Sequence, residues 1–593
     1  MIAPVKRADI AQEYKWNLGD LCQNIKIFEE GVKEVKELSA KLALMKGTLG
    51  SGTEKLLDCL NLRAQVNEKL ARLFVYSKML LDEDANVTES RELAETASAL
   101  NRDVAQAEAF VSPEILTLSQ EYIDKAFLAP KMKLYKHMFD DLMRAKAHTL
   151  SPEQEELLAA FTEIIEGPSD IFNMLDATDI DFGTVKTEDG KEIKLTHARY
   201  SPLMEQKDRE ARKVAWNAYY DGYLNIKNTI AASHRASIKA DVVLARARKH
   251  NTAREAALFE DNIPVSVYDN LISVVREFLP VLHRYTALRA KALGLSKLET
   301  FDLLVPITEK PEQEYEYKKA VELVLNGIAP LGEDYQKTAK DGLCGGGWVD
   351  VYENEGKKSG AYQWGAFGCH PYILLNYDKS LDGVYTLAHE LGHAMHSHYS
   401  WNTQPYIYSD YSIFLAEVAS TVNEGLLMDY QLKNADPKMR KYLLNMWLEQ
   451  YRGTLFRQTL FAEFEARTHQ MAEQDIPLTL DAKNALYREL ISDYYGPILA
   501  QNPKADFEWA RIPHFFSAFY VFQYSTGYSA AMAFCDQILK GGAAKYLEFL
   551  AAGSSDYPIN VLKRAGVDMS KKAPVTAALK LFEKLLGELE ELV

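Results

Sequence analysis

Residues 386–398 read TLAHELGHAMHSH, and residues 410–430 read DYSIFLAEVASTVNEGLLMDY. The first stretch holds His389, Glu390 and His393 in the spacing H-E-x-x-H. On a helix, positions i and i+4 lie one above the other, so two imidazoles at this spacing can reach one ion. Glu390 falls on the flank of that face, where an activated water would sit. Val384, Ala388, Leu391 and Met395 recur at a helical period and predict a buried opposite side. Ser380 or Asp382 is placed to cap the start.

A catalytic zinc takes three protein ligands and keeps a fourth position open for water. The longer pattern H-E-x-x-H-x-x-G-x-x-H is not continued here: His396 stands where the glycine would be and Tyr399 where the third histidine would be. His396 and His398 are therefore read as solvated histidines, or as neighbours hydrogen-bonded behind the site. The second stretch offers a carboxylate instead. Ile413, Leu415, Val418, Val422 and Leu426 form an apolar stripe, and Glu417 sits inside it. A carboxylate in such a run is costly unless it is paired or ligates a metal. Glu417 is the candidate third ligand, Glu424 its competitor, and a salt bridge the plain alternative.

Outward from this core, residues 342–377 are the least helical part of the chain, dense in glycine, and end in the strand candidate PYILLNY at 371–377. A strand beside the site can pair with an extended peptide, although a plain buried strand reads as well. The run Gly345-Gly346-Gly347 lacks the lysine and hydroxyl residue of a phosphate-binding loop. Residues 25–165 read as amphipathic helices, with Ser151-Pro152 as a helix start. Gly167-Pro168-Ser169 punctuates them, and two short β-like runs flank Glu188-Asp189-Gly190 as a hairpin. The expected division is a helical region at 1–110, a lobe with the hairpin at 111–200, and a catalytic domain at 201–593.

The net charge of −16 argues against a nucleic-acid partner or an anionic membrane. Cys22, Cys59, Cys344, Cys369 and Cys535 are scattered and odd in number, which fits free thiols better than a disulfide framework. The opening MIAPVKRADIAQEYKWNL has no apolar signal core, and no apolar run is long enough to span a bilayer. A cytoplasmic location is the expectation.

HELGH followed at this distance by FLAEVASTVNEG resembles the thimet-oligopeptidase superfamily of metallopeptidases, and within it the oligoendopeptidase F branch. The resemblance extends to EYKWNLGDL near the start, WVDVYENEGKKSGAY, PYILLNYDKSLDGVYTLAHELGHAMHS, and ARIPHFFSAFYVFQYSTGYSAA near the end, so it spans most of the chain. It implies a mostly α, clam-like molecule of two lobes, with a small β element beside the zinc and an internal channel. It also implies one zinc per chain on His389, His393 and Glu417, and cleavage of oligopeptides. Glu390 is then the general base, taking a proton from zinc-bound water and passing it to the leaving amine.

Tyr520, Tyr524 and Tyr528 are spaced by four and predict one helix face, with His514 just before it. An aromatic core stripe is the plain reading. The resemblance makes His514 and one or two of these tyrosines hydrogen-bond donors to the oxyanion, His514 and Tyr520 first, then Tyr524, then Tyr528. The helices that precede the catalytic region become, by the same resemblance, a channel wall that admits short unstructured peptides and excludes folded proteins.

Overall fold

A computed structural model describes residues 5–593. The chain is mostly helical. Its helices include α1 (Ile25–Ala43), α2 (Thr53–Glu83), α3 (Thr88–Glu108), α4 (Thr162–Met174), α5 (Leu381–Thr403), α6 (Ile413–Asn434), α7 (Arg457–Glu473) and α8 (Phe522–Leu539). The strands are β1 (Thr184–Lys186), β2 (Glu192–Lys194), β3 (Val349–Asp350), β4 (Tyr362–Trp364) and β5 (Tyr372–Leu374). The chain forms two compact units, each assembled from separated stretches: Met1–Ala147, Gln313–Tyr430 and Phe534–Gly566 in one, and His148–Glu312, Gln431–Ala533 and Val567–Val593 in the other.

In the first unit the apolar faces of α1, α2 and α3 close on one core. Phe28 and Val35, Val66, Leu70 and Tyr76, and Leu93, Leu100 and Val104 meet there, and Tyr372 and Leu374 of β5 join them. The EYKWNLGDL segment ties this bundle to the sheet. The Asn17 N–H donates to Gly347 O at 2.8 Å, and the Val351 N–H donates to Tyr14 O at 3.0 Å, so the segment runs beside β3. Asp350 is buried between Arg7 (2.7 Å) and Lys357 (2.7 Å), so both charges it faces are paired.

The three-stranded sheet has β5 in the middle, parallel to β3 and antiparallel to β4. PYILLNY is therefore the paired, buried centre of the sheet rather than a strand open to a peptide. Its apolar run is what a strand covered on both faces requires. Among the described residues the open edge belongs to β4. On the β3 side, the Ile373 N–H donates to the O of Trp348, the residue before β3, at 2.7 Å. Tyr372 and Leu374 therefore bond to β4, and the Gln363 peptide between their partners points out from that edge.

In the second unit β1 and β2 form the expected hairpin, with Val185 opposite Ile193 and Gly190 at φ 78° in the turn. Ser151 caps the following helix in a capping box with Gln154. Gly167-Pro168 does not interrupt the helices as expected, because α4 runs through both residues. Proline loses one intrahelical bond there, and the Pro168 carbonyl accepts from Ser233 Oγ at 2.5 Å. Trp216, Tyr268, Tyr487 and Trp509 are fully buried in this unit. Among the described residues no helix is long and apolar enough to cross a membrane.

Candidate metal centre

The centre is built on α5 and α6 of the first unit. Ser380 caps α5, its Oγ accepting from the Gly383 N–H at 2.9 Å. Val384, Ala388, Leu391 and Met395 are all fully buried, which fixes the rotation of α5 and leaves His389 and His393 together on its other side. Gly392, between the two histidines, lets α6 approach. A Cβ there would lie 2.5 Å from both the Ala419 carbonyl oxygen and Ser420 Cα. Asn423 locks the pair, its Nδ2 donating to Ala388 O at 3.2 Å while its Oδ1 accepts from Tyr335 at 3.1 Å.

This close packing brings Glu417 to the histidines. His389 Nε2 and His393 Nε2 are 3.2 Å apart, and Glu417 Oε2 lies 3.5 Å and 3.7 Å from them. A tetrahedral zinc with bonds of about 2.0–2.1 Å separates its ligand atoms by about 3.3–3.4 Å, so the three atoms fit the donor set and spacing of one ion. Each also has a partner behind it. Glu424 Oε1 accepts from His389 Nδ1 at 2.5 Å. The Ala416 backbone bonds to His393. Ser420 Oγ donates to Glu417 Oε2 at 3.0 Å. Such partners leave each Nε2 lone pair directed at the common point. Glu417 and Glu424 thus part company: Glu417 joins the donor atoms and Glu424 orients His389 from the far side of the ring. The apolar stripe is not what singles Glu417 out. Its side chain is 34% exposed, and Ile413, expected in the stripe, is 46% exposed.

Glu390 is 6% exposed, and its Oε2 has no hydrogen-bond partner. The Gln363 amide at the open edge of β4 bonds to the carboxylate. Burial pushes the Glu390 carboxyl up to about 7; Glu417 and Glu424 add to the rise, and His389 and the Gln363 amide oppose it. Burial lowers the basicity of His389, but its bond to Glu424 and the surrounding carboxylates outweigh this and take it up to about 9. His393 moves the opposite way, well below the usual imidazole range, through burial and the charge on His389. Three carboxylates against two imidazoles that cannot both be charged leave an excess of negative charge that suits a divalent cation.

His396 and His398 lie off the donor cluster. His396 is fully buried rather than solvated, stacked on Tyr411 with ring centroids 3.6 Å apart, and burial lowers its pKa to about 3. His398 is half-buried, with Asn402 donating to its Nδ1 at 3.3 Å. Tyr411 is a contributor the sequence did not mark: its hydroxyl meets Ser397 Oγ at 2.9 Å, and Ser397 Oγ reaches Gln363 Oε1 at 3.2 Å. Gln363 was equally hidden, because its role is carried by a backbone amide. The glycine of HELGH was the one visible trace of the close helix contact.

In the second unit His514, Tyr520 and Tyr524 come together. Tyr524 Oη lies 3.3 Å from His514 Nε2, and the Tyr520 ring stacks on His514 at 5.9 Å. Tyr528 is 2% exposed in the core, where Trp447 Nε1 donates to its hydroxyl at 3.1 Å. The expected single helix face is broken because α8 begins only at Phe522, so Tyr520 stands before the helix. Burial lowers the His514 pKa and favours its neutral form.

The sequence model of peptidase family M3 matches residues 202–581, and that of oligopeptidase F matches residues 114–182. The chain belongs to peptidase family M3. It is a metalloendopeptidase. It is 42% identical to oligopeptidase PepF of Bacillus subtilis over 99% of this chain and 88% of that protein. It is 40% identical to an oligoendopeptidase F homolog of Lactococcus lactis over 99% and 98%. Among M3 structures, oligoendopeptidase-F from Enterococcus faecium superposes with a TM-score of 0.74 at 36% identity, covering 96% of this chain and 99% of that one. A solved chain from Chlamydophila abortus gives 0.94 at 35% identity over 100% of both.

Proposed function

We propose that this M3 peptidase is a zinc-dependent endopeptidase that cleaves internal bonds of short unstructured oligopeptides. The observation that carries the reading is the convergence of His389 Nε2, His393 Nε2 and Glu417 Oε2 at 3.2–3.7 Å, with the buried, half-satisfied Glu390 carboxylate on the same helix. His389, His393 and Glu417 would hold the ion. When bound, zinc supplies Lewis-acid chemistry, polarising the carbonyl under attack and making a water molecule acidic enough to ionise near neutral pH.

The remaining chemistry belongs to the chain. Glu390 accepts the proton of the attacking water and delivers it to the leaving amine nitrogen, a transfer its raised pKa suits in both directions. Glu424 keeps His389 in the tautomer whose Nε2 is free to bind. The Gln363 N–H on the outward-facing edge of β4 holds the Glu390 carboxylate. His514, Tyr520 and Tyr524 are proposed as hydrogen-bond donors to the oxyanion, supported by their gathering into one cluster and by the family resemblance. The oligopeptide substrate is supported by the oligopeptidase F match and the relatives' names. The test is metal analysis with digestion of a blocked peptide before and after chelation. About one zinc per chain and internal cleavage that a chelator abolishes are expected; chelator-resistant cleavage overturns the reading.

A further inference from the structure

Phe519 has φ 57°, in the left-handed region that bulky side chains avoid. It lies between His514 and Tyr520, three residues before the start of α8 at Phe522. The turn around it is compact: the Ser517 N–H donates to His514 O at 2.9 Å, and the Tyr520 N–H to Ser517 O at 3.3 Å. This reversal takes Tyr520 off the helix and stacks its ring parallel to His514. Without it, the four-residue spacing would set Tyr520 in line with Tyr524 and the buried Tyr528.

Two things hold the turn. The Phe519 ring is 3% exposed and packs on His469, with centroids 4.6 Å apart, and on Tyr268 at 5.8 Å. The Phe519 N–H, turned inward, donates to Glu465 Oε1 at 2.7 Å. Glu465, on α7, is 2% exposed and its Oε2 has no partner. Its nearby polar company is His469, whose Nδ1 bonds to the Glu465 carbonyl at 2.9 Å and whose Nε2 reaches Asp241 at 3.2 Å. A buried carboxyl with one hydrogen bond is an expensive group to retain. Its one bond is to the strained residue, and an inward-facing amide left without an acceptor would oppose the left-handed turn.

We propose that Glu465 is a positioning residue, whose Oε1 clamps the left-handed turn at Phe519 and so sets Tyr520 beside His514 and Tyr524. The kinetic consequence rests on the reading of Tyr520 as an oxyanion donor; the placement of Tyr520 does not. Burial pushes the Glu465 carboxyl up to about 8, so near neutral pH its neutral form, with a carbonyl acceptor, dominates. Glutamine reproduces that acceptor, whereas methionine keeps the volume and removes it.

The experiment uses the full-length zinc-loaded enzyme. Glu465→Gln should stay within about 3-fold of the parent in kcat. Glu465→Met should lose about 10- to 100-fold in kcat with little change in KM, the cost of misplacing a reacting-centre group by about 1 Å. In a Tyr520→Phe background the same Glu465→Met change should cost less than about 2-fold, since the group it positions is already gone. An equal loss in both backgrounds overturns the proposal. A second readout is independent of catalysis: with 3-fluorotyrosine at position 520, the 19F resonance should move in Glu465→Met and hold in Glu465→Gln. If Tyr520→Phe alone has full activity, the oxyanion reading fails, and the 19F result still decides the placement. An unmoved resonance in Glu465→Met sinks it.

Discussion

Gly392 faces Ser420 so closely that a Cβ on the glycine would lie 2.5 Å from the serine Cα. Two helices thus meet backbone to backbone at the point where one carries the histidines and the other the carboxylate. Gly392→Ala must push the helices apart, because the atoms in the way are main chain and cannot swing aside. Overpacking of this kind costs about 1–3 kcal/mol. The expected outcome is a lower melting temperature together with weaker zinc binding, measured by competition with a chromogenic chelator. Parental zinc affinity in this variant would show that the contact does not set the ligand geometry.

The two carboxylates of α6 should separate by degree. Glu417→Ala removes a donor atom and should abolish stoichiometric zinc. Glu424→Gln removes only the charged partner of His389 and should weaken zinc by about 10- to 100-fold. Metal content after dialysis against graded chelator reads both. The reverse order would make Glu424 the ligand.

Glu390→Gln should keep zinc and lose nearly all turnover, since an amide cannot accept the water proton. Metal content and kcat are measured on the same preparation. Substantial activity with full metal content would remove Glu390 from the general-base role.

Tyr520 and Tyr528 should behave differently despite their matched spacing. Tyr520→Phe should lower kcat by about 10²-fold with little effect on KM, the scale of one lost oxyanion donor. Tyr528→Phe removes the buried hydroxyl that accepts from Trp447 and should cost about 1 kcal/mol of stability while kcat is retained. A kcat loss confined to Tyr528→Phe would reverse the assignment.

Lys483 gives a stability signature in the second unit. It is fully buried, donates to the Ala231 carbonyl at 2.9 Å, and lies over the Trp509 ring. Burial, with a smaller effect from Arg235, lowers its pKa to about 7. The unfolded chain then binds a proton that the folded chain lacks between about pH 7 and the ordinary lysine value near 10.4, so this residue makes stability rise with pH across that window. The slope is at most about 1.4 kcal/mol per pH unit, and it vanishes below the folded pKa, where both states are protonated. Lys483→Met should flatten it, raising the denaturation midpoint at pH 7–8 relative to pH 10. An unchanged pH dependence would show that Lys483 keeps its proton when folded.

The helical patterning, a cap at Ser380 or Asp382, the buried side of α5, the His389–His393 pairing and the β1–β2 hairpin were all legible in the sequence. Each is local: periods of 3.6 or 2 residues fix which side chains share a face, and a cap or turn acts within a few residues. The choice between Glu417 and Glu424 was not legible in the same way, because both lie on one helix and only its approach to α5 decides which reaches the Nε2 atoms. PYILLNY was legible as a strand, but its central place was not, since sheet order depends on partners far along the chain. Tyr520, Tyr524 and Tyr528 share a spacing that predicted a common face, and a left-handed Phe519 clamped by Glu465 from α7 divided them. Sequence alone determined the helical elements and the histidine pair with its neighbouring carboxylate. Tertiary structure decided how those groups meet, because distances between elements follow from packing between residues hundreds of positions apart, which no local period encodes.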